Sequence, residues 1–145
     1  MISKLLAAFL LLTASAAADN TNERANLIGK WESGTADGTG WTIEDKSDTL
    51  HLTYLEKGRS EAEFDCNTMG RECEAKESGK EAKVSMWYSG PKLVQMETRG
   101  SNVVKRRFSV PGAGDVLEVE VIPIVPGGKP ETVRFKRAQV SSAAR

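Results

Sequence analysis

Apolar and polar residues alternate with a period of two along almost all of the chain after residue 26, and short turns separate the alternating stretches. Every second residue of a β-strand lies on the same face, so each stretch predicts a strand with one apolar face. Turn residues recur about every ten positions, and no stretch beyond residue 18 has helical spacing. The sequence therefore predicts one antiparallel sheet made of consecutive hairpins.

About ten alternating stretches lie between residues 27 and 137. A flat sheet of that size would expose its apolar face and leave two unpaired edges, and closure into a barrel removes both problems. We therefore predict an all-β fold, an antiparallel up-and-down meander of about 8–10 strands that closes into a small barrel with one disulfide. A β-sandwich is the alternative, although sandwiches usually need longer crossing connections.

The first 18 residues predict an export signal. Lys4 gives a positive start, residues 5–12 form an apolar segment too short to span a bilayer, and residues 16–18 are small, as a cleavage site requires. After cleavage no segment is apolar enough for a membrane span, and we expect a periplasmic or extracellular protein. The predicted organisation is a signal peptide at 1–18, a flexible leader at 19–26, one barrel domain at 27–137 and a flexible tail at 138–145.

The charge balance argues against nucleic acid as a partner. The chain has 20 basic and 20 acidic residues, and loss of Lys4 with the signal peptide leaves a net charge of about −1, a poor match for phosphate. Lys105, Arg106 and Arg107 are consecutive, but a strand divides them between two faces. We expect no nucleic-acid partner, and the sequence does not identify a protein partner.

The only two cysteines, Cys66 and Cys73, predict a structural disulfide. A cysteine pair in an exported chain is interpreted as a disulfide first. A hairpin loop centred on residues 68–71 places the two directly opposite each other, where Cα atoms of a non-hydrogen-bonded pair lie about 4.5 Å apart, within disulfide range. A redox pair is the alternative, but such pairs favour C-x-x-C at a helix N-terminus.

The segment Gly29-Lys30-Trp31 resembles the G-x-W signature of lipocalins and the wider calycin superfamily, and the chain is similar to small exported bacterial lipocalin-like proteins. In that family the Trp closes one end of the barrel and a basic residue of the last strand lies over it. The resemblance implies these structural roles for Trp31 and Arg137, with Arg134 as second choice. It also implies a calycin-like barrel with one open end, which often holds a small apolar ligand. A second lipocalin motif is absent from the sequence.

Arg106 is the leading candidate for ligand binding because alternation places it on the inward face with Phe108. A buried guanidinium is costly unless an anion or a water-filled cavity compensates it. Arg106 would bind a ligand carboxylate, pair with an inward Glu, or point outward if a bulge shifts the register by one residue. The same alternation turns further candidate ligand-binding residues inward: Tyr54, Tyr88, Met96 and Thr98.

Residue types for other chemistries are sparse. With the two cysteines better used on each other, His51 is the one remaining His or Cys side chain, and it lies on the polar side of its strand, whereas a zinc site needs three or four N or S ligands. The serines lie mainly in turns, none stands in a G-x-S-x-G elbow, and no Gly-rich phosphate loop precedes a helix. We expect no catalytic residue, no metal and no cofactor.

The barrel leaves three functional hypotheses. The first, which we take as the prediction, is an exported lipocalin-like binding protein for a small, largely apolar ligand, whose acidic group would meet Arg106. The alternative is a filled barrel that acts as a structural or protein-interaction module, with the outward Trp87 or an acidic hairpin as contact surface. A third is an enzyme that uses inward Arg, Tyr and Glu side chains. A cavity of roughly 300 Å³ would separate the first from the second.

Overall fold

The computed structural model describes residues 16–35, 37–77 and 80–138, which form one helix and ten strands. Most of the predicted signal peptide (residues 1–15) and most of the predicted tail (residues 139–145) lie outside these ranges. The elements are α1 (Ala16–Asn26), β1 (Gly29–Glu32), β2 (Gly40–Asp45), β3 (Leu50–Glu56), β4 (Arg59–Cys66), β5 (Cys73–Glu77), β6 (Lys80–Ser89), β7 (Lys92–Arg99), β8 (Asn102–Ser109), β9 (Val116–Val125) and β10 (Glu131–Arg137).

Each strand pairs antiparallel with the next along the chain, and β10 returns to pair with β1, so the meander closes into a ten-stranded barrel. The closing pair is short, with Trp31 opposite Arg137 and Glu32 opposite Lys136. The predicted fold class is confirmed, and the sandwich alternative is excluded because one continuous sheet of consecutive strands closes on itself.

The barrel interior holds the apolar face of almost every strand, as the alternation predicts. Trp41 belongs to an aromatic cluster inside the barrel, with Phe108 packed edge-on at 5.0 Å and Phe64 stacked at 6.3 Å between ring centroids. The largest fully buried side chains include Trp31, Phe64, Phe108, Leu27, Ile43, Leu52, Met86, Leu93 and Leu117.

Helix α1 is a departure from the sequence interpretation, which predicts a flexible leader at 19–26. The helix has no apolar stripe that periodicity could detect, and contacts near its C-terminal end attach it to the barrel. The Arg24 guanidinium lies 4.4 Å from the Tyr88 ring centroid, and its Nε donates to the Gly90 carbonyl at 2.8 Å. Leu27, just beyond the helix, is completely buried. The predicted cleavage after Ala18 stays a prediction.

Strand β7 is the second departure, because its register is one residue away from the predicted one. Met96 and Thr98, predicted to point inward, lie opposite Lys105 and Val103 on the outer face, whereas Leu93 packs in the core. The inward face of β7 therefore carries polar side chains, so the rule that apolar residues face inward selects the wrong side. Val94 also favours the wrong register, because this apolar residue faces outward and is nevertheless only 2% exposed.

A guanidinium clamp closes the barrel at the end where β1 begins and β10 ends. The Arg137 guanidinium lies 4.1 Å from the Trp31 ring centroid, and the Trp31 indole N–H donates to the Leu27 carbonyl at 3.0 Å. Gly29 adopts a φ of 145°, and a Cβ there would lie 2.6 Å from Arg137 Nη1. The positive φ favours glycine at this position of the G-x-W segment, and the missing Cβ leaves room for the arginine that covers the tryptophan.

Arg137 also hydrogen-bonds to three backbone carbonyls. Nη2 donates to Asn26 at 2.8 Å, Nη1 donates to Ile28 at 3.0 Å, and Nε donates to Gly114 at 3.2 Å. Asn26 is the last residue of α1, where carbonyl groups have no partner within the helix and the helix dipole favours a cation. One side chain therefore connects the helix, the first strand and the β8–β9 loop.

Replacement of this residue tests the clamp. Arg137→Met should lower the free energy of unfolding by roughly 2–3 kcal/mol, because it removes charge-assisted hydrogen bonds and a cation–π contact. Arg134→Met is the matched control on the same strand, since Arg134 makes only an exposed ion pair with Glu118 and should cost less than about 1 kcal/mol. Urea unfolding followed by tryptophan fluorescence measures both. Equal losses in the two variants would contradict the clamp.

The disulfide between Cys66 and Cys73 joins β4 to β5, with 5.3 Å between the Cα atoms. This confirms the predicted pairing. The bond closes a loop with a sequence separation of 7, and its closure restricts the unfolded chain.

The disulfide should contribute about 2–3 kcal/mol, as expected for a loop of this size. We expect the double variant Cys66→Ala/Cys73→Ala to unfold at a correspondingly lower urea concentration. Reduction of the native protein should reproduce the loss, whereas reductant should leave the double variant unchanged. An unaltered midpoint in both experiments would show that the loop is equally restricted without the bond.

Candidate functional site

A cavity of about 340 Å³ opens at the end of the barrel opposite the clamp. Strands β3, β5 and β7 end there, whereas β1 begins at the clamp, so the two sites occupy opposite rims. The cavity has an aromatic wall and a charged rim. Its lining residues are Trp41, Tyr54, Glu56, Glu61, Ala62, Phe64, Glu77, Arg99 and Arg106.

A β-bulge shapes one side of this cavity. The register between β3 and β4 shifts after Tyr54, so that Tyr54 lies opposite Ala62 and Leu55 lies opposite Ser60. Glu61 is the extra residue, and a bulge of this kind redirects a side chain. Simple alternation places Glu61 on the outer face, but in the structure it lines the cavity with its inward neighbour Ala62.

The Arg106 guanidinium is paired within the protein. Its Nη1 donates to Glu97 Oε2 and to Gln95 Oε1, both at 2.9 Å. Gln95 is fully buried and Glu97 is 5% exposed, so these bonds form in a region of low effective dielectric, where charge pairs interact strongly. Of the three outcomes that the sequence leaves open for Arg106, the structure shows the pairing with an inward glutamate.

The ion pairs continue along the rim. Arg99 Nη2 lies 3.1 Å from Glu97 Oε1 and also pairs with Glu77, whose side chain is 7% exposed. The result is a chain of alternating charges, Glu77–Arg99–Glu97–Arg106, in which two guanidinium groups neutralise two carboxylates. This network ties β5, β7 and β8 together beneath the cavity opening.

Gln95 leaves one buried polar group unsatisfied. Its Oε1 accepts from Arg106, but Nε2 has no hydrogen-bond partner among the described residues. A buried donor without a partner costs about 1–3 kcal/mol, so the amide favours a water or a ligand acceptor beside Arg106.

Tyr54 provides the aromatic wall with a polar tip. Its ring lies 5.0 Å from Trp41 between centroids, at an interplanar angle of 44°. Its hydroxyl donates to Glu56 Oε1 at 3.1 Å. Burial raises the pKa of the Tyr54 hydroxyl, the bond to Glu56 raises it further, and Arg106 partly opposes the rise. Tyr54 is therefore a neutral hydrogen-bond donor at physiological pH.

The structure brings together only two of the five predicted ligand-binding residues, Tyr54 and Arg106. Tyr88 points inward but lies at the other end, beneath Arg24, where burial raises the pKa of its hydroxyl. Met96 and Thr98 face away from the barrel interior, as the β7 register requires. These three residues are therefore not part of the cavity.

Sequence reasoning missed the acidic character of the site. The predicted register of β7, which turns Met96 and Thr98 inward, places Gln95 and Glu97 on the outer face, and the bulge conceals Glu61. Alternation alone does contain one usable signal: Glu56 follows Tyr54 by two residues, and Glu77 follows Ala75 by two, so each carboxylate continues an inward face to the barrel rim.

The other polar candidates lie outside the cavity and form no metal-binding group in the described part of the chain. His51 Nε2 lies 4.0 Å from Glu63 Oε1, outside the cavity. No group of three or more His, Cys, Asp or Glu side chains in residues 16–35, 37–77 and 80–138 is arranged to hold a metal ion. Over the same residues, no helix has the length and apolar character needed to cross a bilayer.

Comparison with known proteins finds similar folds but no sequence family. No protein-family model and no curated protein matches the chain. Among solved structures, a secretory abundant heat soluble (SAHS) protein from Ramazzottius varieornatus superposes with a TM-score of 0.65 and 17% identity, covering 78% of this chain and 96% of the other. Secretory abundant heat soluble protein 4 of the same organism superposes with a TM-score of 0.63 and 19% identity, covering 79% of this chain and 96% of the other.

A double-mutant cycle tests the buried pair. Glu97→Gln and Arg106→Met should each lower the free energy of unfolding by about 2–3 kcal/mol, because each removes a charge-assisted contact from a partner that is largely removed from water. The double variant should lose less than the sum, with a coupling of at least about 1 kcal/mol. Denaturant unfolding measures all four proteins. Strict additivity would show that the two side chains do not interact in solution.

Proposed function

We propose that this chain is an exported, non-catalytic protein that binds a small molecule at the open end of its barrel. The observation that carries the proposal is the cavity of about 340 Å³, which combines an aromatic wall with a rim of fixed charges. Ligand sites commonly have this composition, apolar surface with a few polar groups that fix orientation.

The size of the cavity favours a compact ligand. Its volume is near the lower end of the range of about 300–1,000 Å³ found for small-molecule pockets. Trp41, Phe64 and Phe108 fill the centre of the barrel and leave the ligand only the rim. A long acyl chain would need those three side chains to move. The proposed ligand is therefore smaller and more polar than the largely apolar one that the resemblance to lipocalins implies.

Export is part of the proposal. The chain carries a predicted signal peptide, and its disulfide suits an oxidising compartment, the periplasm or the extracellular space. The two similar structures belong to proteins named as secretory. The proposal leaves out catalysis, because the guanidinium and carboxylate groups at the cavity are largely engaged with one another.

A filled barrel without a small ligand is the second candidate, and the packed centre of the barrel is the observation that favours it. Trp31, Phe64 and Phe108 are each at most 1% exposed. In that case the protein would act through its outer surface, where Trp87 lies opposite Val94.

Obstruction of the cavity separates the two candidates. Ala62 is a small buried residue of the lining, and Ala62→Phe should fill the space. Native mass spectrometry of the full-length protein purified from its host should show a bound small molecule in the parent protein and none in the variant. Circular dichroism should confirm that both retain the barrel, since overpacking costs about 1–3 kcal/mol.

The matched control is Thr53→Phe, which adds the same ring on the outer face of the neighbouring strand, where Thr53 lies opposite Glu63. This variant should retain the ligand. A parent protein that carries no adduct, together with no thermal shift across a panel of small metabolites, would favour the filled-barrel candidate.

A further inference from the structure

We propose that one side of the barrel, the outer face of β6, β7 and β8, binds the surface of an anionic phospholipid bilayer. This basic face combines a row of apolar side chains with a group of cations. Its residues are Met69, Trp87, Lys92, Val94, Lys105 and Arg107. The inference is independent of the cavity at the open end and of any ligand there.

An apolar row crosses the basic face from one element to the next. Met69, in the loop between β4 and β5, forms an isolated antiparallel bridge with Trp87 of β6, and Trp87 lies opposite Val94 of β7. Side chains of directly opposed residues lie on the same face of a sheet, so all three point outward. Val94 is buried and Trp87 is half-buried, whereas Met69 is 80% exposed. Met69 is therefore the apolar side chain that extends furthest from this face.

The loop that carries Met69 is held in place from both ends. The disulfide closes the loop, Met69 N–H donates to Asn67 Oδ1 at 3.0 Å, and Gly70 N–H donates to the Met86 carbonyl at 2.8 Å. The loop tip can enter the bilayer interface without leaving these two backbone donors unsatisfied. A protruding side chain needs a matching pocket in a protein partner, whereas a bilayer accommodates it without one.

The cations of the basic face favour an anionic surface. The outward positions of β7 and β8 include Lys92, Lys105 and Arg107 and no Asp or Glu. Arg107 pairs with Glu120 of β9 at 3.1 Å, but Lys92 and Lys105 form no ion pair among the described residues. A lysine stem can lie along apolar surface while its ammonium group reaches a headgroup phosphate.

A groove of about 420 Å³ lies between these cations. Its lining includes Trp87 and Val94 as well as the three cations, and it contains no carboxylate. Tryptophan rings are enriched where a bilayer meets water, because the ring is apolar and its N–H is polar. The groove therefore suits a phosphate headgroup together with the first part of an acyl chain.

The distribution of charge also orients the barrel on such a surface. The outward positions of β4 include Glu63 and Asp65, which an anionic surface repels. The basic face would therefore be turned toward the bilayer, although the chain as a whole has equal numbers of basic and acidic residues.

The test measures sedimentation of the exported protein with sucrose-loaded vesicles. Vesicles of phosphatidylcholine alone are compared with vesicles of equal parts of phosphatidylcholine and phosphatidylglycerol. We expect a partition coefficient that is higher by about tenfold or more for the anionic vesicles. The difference should decrease as the salt concentration rises, because salt screens exposed charges.

Tryptophan fluorescence gives a readout that belongs to the basic face. The chain has three tryptophans, and Trp31 and Trp41 are buried. Trp87 should therefore dominate any change on binding, and its emission should shift to shorter wavelength when anionic vesicles are added. Trp87→Phe should abolish this shift.

The lysine variants test the charge. Lys92→Gln/Lys105→Gln should weaken binding to the anionic vesicles by about tenfold or more, since each lysine near the surface contributes roughly fivefold. The matched control is Lys30→Gln/Lys57→Gln, which makes the same charge change on β1 and in the turn between β3 and β4. It should retain most of the binding. All variants share one N-terminus, so any remaining signal peptide affects them equally.

The apolar variants test the methionine. Met69→Ser should weaken binding to the anionic vesicles by about threefold or more, because the protein then buries less apolar surface. Val133→Ser is the matched control, since it removes an exposed apolar side chain from β10, and it should bind as the parent protein does.

Several outcomes would overturn the bilayer. These are equal partition into the two kinds of vesicle, unchanged partition of Lys92→Gln/Lys105→Gln, and complete displacement by sn-glycerol 1-phosphate, which would indicate a site for free phosphate. Binding to polyglutamate but not to anionic vesicles would assign the face to an acidic protein partner instead. Ala62→Phe, which obstructs the cavity, should leave vesicle binding unchanged, so the two proposals succeed or fail separately.

Discussion

The Arg137 guanidinium is the interaction on which the closed barrel depends most. The seam between β1 and β10 is the shortest in the sheet, with only two paired positions, and one of them is Trp31 opposite Arg137. A pair of strands this short contributes little by itself. The side chain compensates by hydrogen bonding to carbonyls before β1 and in the β8–β9 loop while its plane covers the indole. Gly29 leaves room for the guanidinium, since a Cβ there would lie 2.6 Å from Nη1, so the start of β1 and the end of β10 form one unit.

The opposite rim follows a different principle. There the inward face of β7 carries Gln95 and Glu97 where an apolar barrel would carry leucine. Buried ion pairs are weak contributors to stability, since desolvation offsets much of the attraction. Because these ion pairs lie at one end of an otherwise apolar interior, we infer that their role is to keep the cavity polar and to hold its lining side chains in fixed positions. The filled, apolar half of the barrel supplies the stability that such a network does not.

Most of the fold could be predicted because its strands obey one rule. Alternation gave the correct inward face for β3, β6 and β8, and the turn spacing gave the meander and the disulfide. The candidate site was harder to predict, because side chains in and near it break the rule. Glu97 is a charged residue inside, Val94 is an apolar residue outside, and Glu61 is redirected by a bulge. The sequence pattern does not predict helix α1, because the helix is attached to the barrel through Arg24 and through the carbonyl at its end. Such contacts leave no apolar periodicity in the sequence.

The bulge in β4 has a consequence for how this barrel can diverge. The extra residue, Glu61, is the third residue after the turn between β3 and β4, so a single deletion there would restore regular pairing without moving Phe64 or Cys66 from their faces. The same deletion would remove one carboxylate from the opening. Related barrels could thus change the charge at the cavity opening through a one-residue change in chain length, while the packed interior and the guanidinium clamp stay unchanged.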